Sequence, residues 1–173
     1  SLIPLCIFLF DNLNAKETQM QFKTTFRTQL TDTSTTDIEG VGTLRYEGKK
    51  MYKWVKYDDG TADLDIIVGD VLGYTLGGYE NSVVTADVTD MDTIPSMAGV
   101  ALGTVTATDT YMWIQIGGMV TLATTVDGTT PAAGENITMS TSDKNAAIDP
   151  DANEHVTGFM VNTTTKVCLH CPW

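Results

Sequence analysis

The stretch GVALGTVTATDTYMWIQIGGMVTLATTVDG, Gly99 to Gly128, carries the plainest structural signal in the chain. From Tyr111 to Ile116 the side chains alternate, with Tyr111, Trp113 and Gln115 on one face and Met112, Ile114 and Ile116 on the other. That period of two belongs to a strand and not to a helix. Val100 to Thr106 reads as a strand before it, and Met119 to Thr125 as a strand after it. Gly117-Gly118 lies between the two apolar runs. Glycine takes positive φ without steric cost, so the pair predicts a two-residue hairpin turn.

A second hairpin is legible upstream. VGTLRY (Val41–Tyr46) and KMYKWVKY (Lys50–Tyr57) flank Glu47-Gly48, and Met51, Lys53 and Val55 alternate against Tyr52, Trp54 and Lys56. Further strands are expected in IIVGDVLGYT (Ile66–Thr75), SVVTADVT (Ser82–Thr89) and PAAGENITMST (Pro131–Thr141). HVTGFMV and KVCLHC predict a closing hairpin across Asn162-Thr163-Thr164. The polar runs DTSTTDIEG, DDGTADLD and DKNAAIDPDANE read as loops. A short helix within residues 87–98 is the one helical expectation. The 29 threonines, many beside Val, Ile, Met or Tyr, suit pleated surfaces. These signals predict an all-β chain: an antiparallel sandwich or jelly-roll/barrel-like domain over residues 41–173, with an extended N-terminal arm or leader over residues 1–40.

Charge is unevenly laid out. The net charge is −12, yet five of the ten basic residues (Arg45, Lys49, Lys50, Lys53 and Lys56) fall between Thr43 and Tyr57. From Asp58 to Glu154 there are sixteen acids against one base, Lys144. An acidic chain argues against nucleic acid as partner, since phosphate backbones need clustered Lys and Arg. No run approaches the roughly 20 apolar residues of a membrane span.

The first nineteen residues admit three readings. SLIPLCIFLF could be the apolar core of a signal peptide cleaved after Ala15, or the apolar tip of an arm that docks on a neighbour. In the third, Met20 is the true start and residues 1–19 are translated leader, with Lys16-Glu17 encoded by a ribosome-binding sequence.

No motif for catalysis, metal or cofactor is complete. In CLHC, Cys168 and His170 share one face of a strand while Cys171 takes the other, which defeats a joint ligand set. DPDANE begins like a calcium loop, but Glu154 and Met160 stand where Gly and Glu are required. His155 has no adjacent nucleophile, and the acids single out no pair for glycoside hydrolysis. Asn136-Ile-Thr138 and Asn162-Thr-Thr164 match the glycosylation sequon in a chain where threonine makes such matches common. The expectation is that the chain is not an enzyme and carries no cofactor.

The ordered motifs GTLRYEGKKMYKWVKY, GDVLGY, AGVALGTVTATDTYMWIQIGG, PAAGENITMS and VTGFMV resemble those of bacteriophage head decoration (cement) proteins, over roughly Val41 to Val167. The resemblance implies a structural virion protein, without catalytic residues, on the outer capsid surface of an expanded icosahedral head. It would staple neighbouring major capsid subunits of a tailed phage, itself as a trimer or dimer, with neither nucleic acid nor membrane as partner. On that reading Arg45, Lys49, Lys50, Lys53 and Lys56 face an acidic surface, with Tyr52 and Trp54 as anchors. The competing reading for the aromatics is that they fill the sheet's own core. The competing functions are a secreted or virion-surface β module, carbohydrate-binding or part of a fibre.

Overall fold

A computed structural model describes residues 25–78, 82–91, 97–127, 131–149, 157–162 and 164–171. Eleven strands are found among them: β1 (Thr33–Ser34), β2 (Leu44–Glu47), β3 (Lys50–Tyr57), β4 (Val71–Tyr74), β5 (Val83–Thr85), β6 (Met97–Ala101), β7 (Thr110–Thr121), β8 (Asn136–Met139), β9 (Ala146–Ile148), β10 (Gly158–Met160) and β11 (Lys166–His170). Where a short helix is expected, the described part of residues 87–98 holds only one three-residue 3-10 turn, Val88–Asp90. The chain is β-built, as its alternation predicts.

The pairings close a ring. Strand β3 pairs with β5, β5 with β4, β4 with β6, β6 with β7, and β7 returns to β3. Within this small barrel the β3–β5 contact is parallel and the others are antiparallel, so the arrangement is not the wholly antiparallel one expected. From β7 the sheet continues through β11, β10 and β8 to β9. Strand β9 and the two-residue β1 lie inside segments whose polarity reads as loop. Their side chains give little periodic signal, and pairing with an already formed neighbour defines them.

Strand β7 is the spine, and it corrects the first expectation. Gly117 and Gly118 do not turn the chain: they sit inside one twelve-residue strand. One edge of β7 runs along β3, from Tyr57↔Thr110 to Met51↔Gly117. The other edge is shared in sequence by β1 at Tyr111–Met112, β6 at Ile114–Gln115 and β11 from Gly117 onward. The ladder with β3 skips Ile116, a bulge that bends the strand as it leaves the barrel. Gln115 fixes the bend: it is buried, and its Nε2 donates to the carbonyls of Gly117 and Met119, both at 3.0 Å. Gly118 has φ +82°, and a Cβ there would lie 2.4 Å from the Lys49 carbonyl oxygen. The glycines thus serve close approach between backbones and not reversal. The flanking strands shift accordingly, β6 ending at Ala101 and β7 at Thr121.

Both faces of the β3–β7 ladder are covered. Val55, Tyr57, Met112, Ile114 and Ile116 enter the main core with Val71, Leu72, Val84 and Val100. On the opposite face Tyr52, Trp54 and Trp113 form a second cluster, roofed by Phe26, Leu30 and Val41 from the N-terminal segment. Trp54 and Trp113 meet edge to face at 5.3 Å, and Phe26 meets Trp113 at 5.4 Å. The segment also satisfies both indoles, since Trp113 Nε1 donates to Thr28 Oγ1 at 2.8 Å and Trp54 Nε1 to Asp37 Oδ1 at 2.9 Å. Glu39 Oε1 accepts from the amides of Arg27 and Thr28 and from the Thr28 hydroxyl, at 2.6, 2.7 and 2.9 Å. A buried tryptophan needs such a partner for its N–H, and here the partner comes from residues whose sequence reads as arm and loop.

The acidic loop after β3 is pinned by carboxylates. Asp87 accepts from the Thr89 hydroxyl and amide at 2.7 and 2.9 Å and from the Ala62 amide at 3.0 Å, while Asp90 accepts from the Thr61 hydroxyl at 3.0 Å. The Thr89 hydroxyl above all, then the two amides, holds the Asp87 carboxyl below its ordinary value against the opposing effect of burial. A depressed folded value means that this stabilisation is present above the ordinary carboxylate range and is lost as pH falls through the folded value. Asp87→Asn is therefore expected to lower the melting temperature at neutral pH and to lessen its fall on acidification below about pH 4. Thermal melts across that range check this, and an unaltered acid limb in the variant would contradict it.

Candidate interaction surface

The five basic residues of the β2–β3 hairpin do not form one patch. Arg45 lies against the molecule itself: its guanidinium stands 4.8 Å from the Phe26 ring centre, donates to the Thr28 carbonyl at 3.0 Å and pairs with Glu47. Lys53 is buried, 6% exposed, with Nζ 3.0 Å from the Tyr74 hydroxyl, and burial lowers its pKa. Lys56 is half-buried and paired with Asp109 Oδ1 at 2.6 Å, at the opposite end of β3. Lys49 and Lys50, at the turn, are exposed.

The aromatic anchors are likewise internal. Tyr52 and Trp54 are 4% and 0% exposed and belong to the second core. The competing reading, that they fill the sheet's core, is the one the packing supports, because each indole and ring is covered by the N-terminal segment. Of the seven residues expected to share one interface, Lys49 and Lys50 are the ones that are exposed, and Tyr52, Lys53 and Trp54 are buried. With Trp54 and Trp113 enclosed, neither offers a flat platform for a sugar. The exposed aromatic of the hairpin is Tyr46, at 59%.

Beside the turn lies a groove of about 500 Å³. Its apolar wall comes from Tyr46, Met51, Ile116 and Cys171, with Lys49, Lys50 and His170 exposed around it. The groove exists because β7 passes from β3 to β11 at the glycine pair, leaving the hairpin tip and the end of β11 on either side of it. The alternation expected of CLHC is observed: Cys171 is buried, whereas Cys168 and His170 lie toward the outer face. Burial pushes the Cys171 thiol up to about 12, so it remains protonated and unreactive at neutral pH. Among the described residues no three His, Cys, Asp or Glu side chains converge as a metal site. His155 and most of the DPDANE loop lie outside the described residues.

The far end of β3 is acidic. Asp58 and Asp59 follow Tyr57 directly, and Asp63, Asp65 and Asp109 are exposed nearby in the loops that flank the ladder. Burial first, and then the fields of Asp59, Asp70, Asp65 and Asp58, raise the pKa of the Tyr57 phenol. The next loop holds a feature that composition concealed. Ile67 to Asp70 is a tight turn: the Asp70 amide donates to the Ile67 carbonyl at 3.1 Å, Asp70 Oδ2 accepts the Ile67 amide at 2.9 Å, and Gly69 has φ +98°. A Cβ at Gly69 would lie 2.6 Å from the Ala123 amide, so the turn is fastened to the body. Ile67 and Val68 project from it, 54% and 55% exposed. IIVGD reads as the start of a strand, and Gly69-Asp70 after the aliphatic residues was the available turn signal.

No protein-family model and no curated protein sequence matches this chain. Among solved structures it is similar to the N base of head fiber gp8.5 in bacteriophage phi29, with 17% identity and a TM-score of 0.42, over 72% of this chain and 98% of that one.

Proposed function

We propose that this chain is a structural virion protein of a tailed phage, with no catalytic role, that binds the outer surface of the expanded head and staples neighbouring major capsid subunits. The sequence resemblance to decoration proteins supports it. The observation that carries it in this molecule is the exposed Lys49-Lys50 turn, on the hairpin with which that resemblance begins, in a chain of net charge −12. Two projecting cations suit an acidic protein surface, where complementary charge sets register and encounter rate. A protein that binds the assembled shell and not its separate subunits stabilises the shell by its binding free energy. Contacts to more than one subunit then add through effective concentration.

Charge reversal tests the surface. Lys49→Glu with Lys50→Glu is expected to weaken binding to expanded heads at least about tenfold, or ~1.4 kcal/mol, while thermal stability stays within about 0.5 kcal/mol of the parent. Raising the salt concentration weakens the parent more than the variant, because exposed charges are screened over about 8 Å at physiological ionic strength. Equal affinities of parent and variant would remove the turn from the contact.

A further inference from the structure

We propose that the groove beside Lys49 and Lys50 receives the Ile67-Val68 turn of a second copy of this chain, so that copies associate head to tail. The inference shares Lys49 and Lys50 with the reading above, but it assigns the groove between them and β11 to a second copy, and its test is run without heads. Its own ground is the complementarity of the two surfaces.

The groove offers apolar walls from Tyr46, Met51 and Ile116, with Lys49, Lys50 and His170 exposed around it. The turn offers the converse, two aliphatic side chains preceded by the exposed carboxylates of Asp63 and Asp65. Neither Ile67 nor Val68 lines the groove of its own chain, and each is more than half exposed, so the two surfaces remain unmatched within one molecule. Bulky β-branched residues are uncommon at a turn tip, where Gly, Asn, Asp and Pro dominate. Here Asp70 and the Gly69–Ala123 approach hold them in place, so little conformational freedom is lost on docking.

A contact between different patches is heterologous and generates rings or open chains, not a self-complementary dimer. Two half-exposed aliphatic residues bury far less than the roughly 1,200 Å² of a stable standard interface. The contact is therefore weak in free solution and gains strength when copies are held on a common surface.

Thiol cross-linking detects such a contact without heads. In full-length protein carrying Val68→Cys, a short bis-maleimide should join Cys at position 68 to Cys168 of another copy, since Cys168 lines the groove. Leu76→Cys, at a residue 74% exposed and away from the turn, supplies the level given by random collision. The expected result is a position 68 to Cys168 product several-fold above that control, identified by peptide mass, and reduced to the control level by Lys49→Glu with Lys50→Glu. A reciprocal rescue follows. Asp65→Lys with Asp63→Asn lowers cross-linking in the Val68→Cys background, and mixing with the groove-reversed variant restores it. Asn is chosen because residue 63 has φ +50°, which Asn tolerates. Cross-linking no higher than the Leu76→Cys control, or insensitive to either charge change, overturns the head-to-tail contact. Binding to heads is untouched by that result, so the two readings fail separately.

Discussion

Trp113→Ala is expected to cost about 4 kcal/mol of unfolding free energy, the middle of the range for a buried aromatic truncated to alanine. Trp113 is fully buried and meets both Trp54 and Phe26 edge to face, contacts worth about 0.5–1.5 kcal/mol each beyond area burial. Its N–H also ties the sheet to Thr28, a residue more than eighty positions earlier in the chain. The loss should therefore be felt first in residues 25–43, which roof the cluster. Hydrogen exchange should show the amides of Arg27 and Thr28 deprotected before those of β3 and β7. Trp113→Phe keeps most of the packing and loses the hydrogen bond, and should cost about 1–2 kcal/mol. Denaturant titration of the two variants separates these contributions. Unchanged protection of residues 25–43 in Trp113→Ala would mean that the N-terminal segment is held by something other than the tryptophan cluster.

Gly118→Val should cost at least about 3 kcal/mol, combining a left-handed backbone with a clash that cannot relax. The obstructing atoms are the Lys49 carbonyl oxygen at 2.4 Å and the Lys50 Cα at 3.3 Å, both backbone of the neighbouring hairpin. Gly48→Ala is the comparison: φ is +59° there, but nothing lies within 4 Å of the added Cβ. That change should cost only about 1 kcal/mol, the backbone contribution alone. The contrast distinguishes a strand that passes between two partners from a hairpin tip in open solvent, where Gly118 would behave like Gly48. Similar costs at the two positions would contradict the continuous β7.

Much of the architecture is legible in the residues themselves. The two-residue period from Tyr111 to Ile116 places Met112, Ile114 and Ile116 in one core and Trp113 in the other, as observed. The Glu47-Gly48 hairpin and the closing hairpin around Asn162 also form where the turn residues put them. The misreadings share a cause. Gly117-Gly118 is chemically equivalent to a hairpin turn, and only long-range partners, β3 before it and β11 after it, decide that the strand continues. Strands β1 and β9 owe their conformation to neighbours for the same reason. At the candidate surface, local sequence locates the basic cluster, yet it cannot tell that Lys53 turns inward beside Tyr74, that Lys56 pairs with Asp109, or that Arg45 packs on Phe26. Those partners lie between 19 and 53 residues away along the chain. Lys49 and Lys50 remain exposed because a tight turn gives them nothing to pack against.

The most direct test of the central claim is co-sedimentation of the purified chain with undecorated heads assembled from the major capsid protein encoded by the same genome, before and after expansion. The account predicts saturable binding to expanded heads, at a fixed ratio to capsid subunits, and none to unexpanded shells. Absence of binding to both, or equal binding to both, would contradict it.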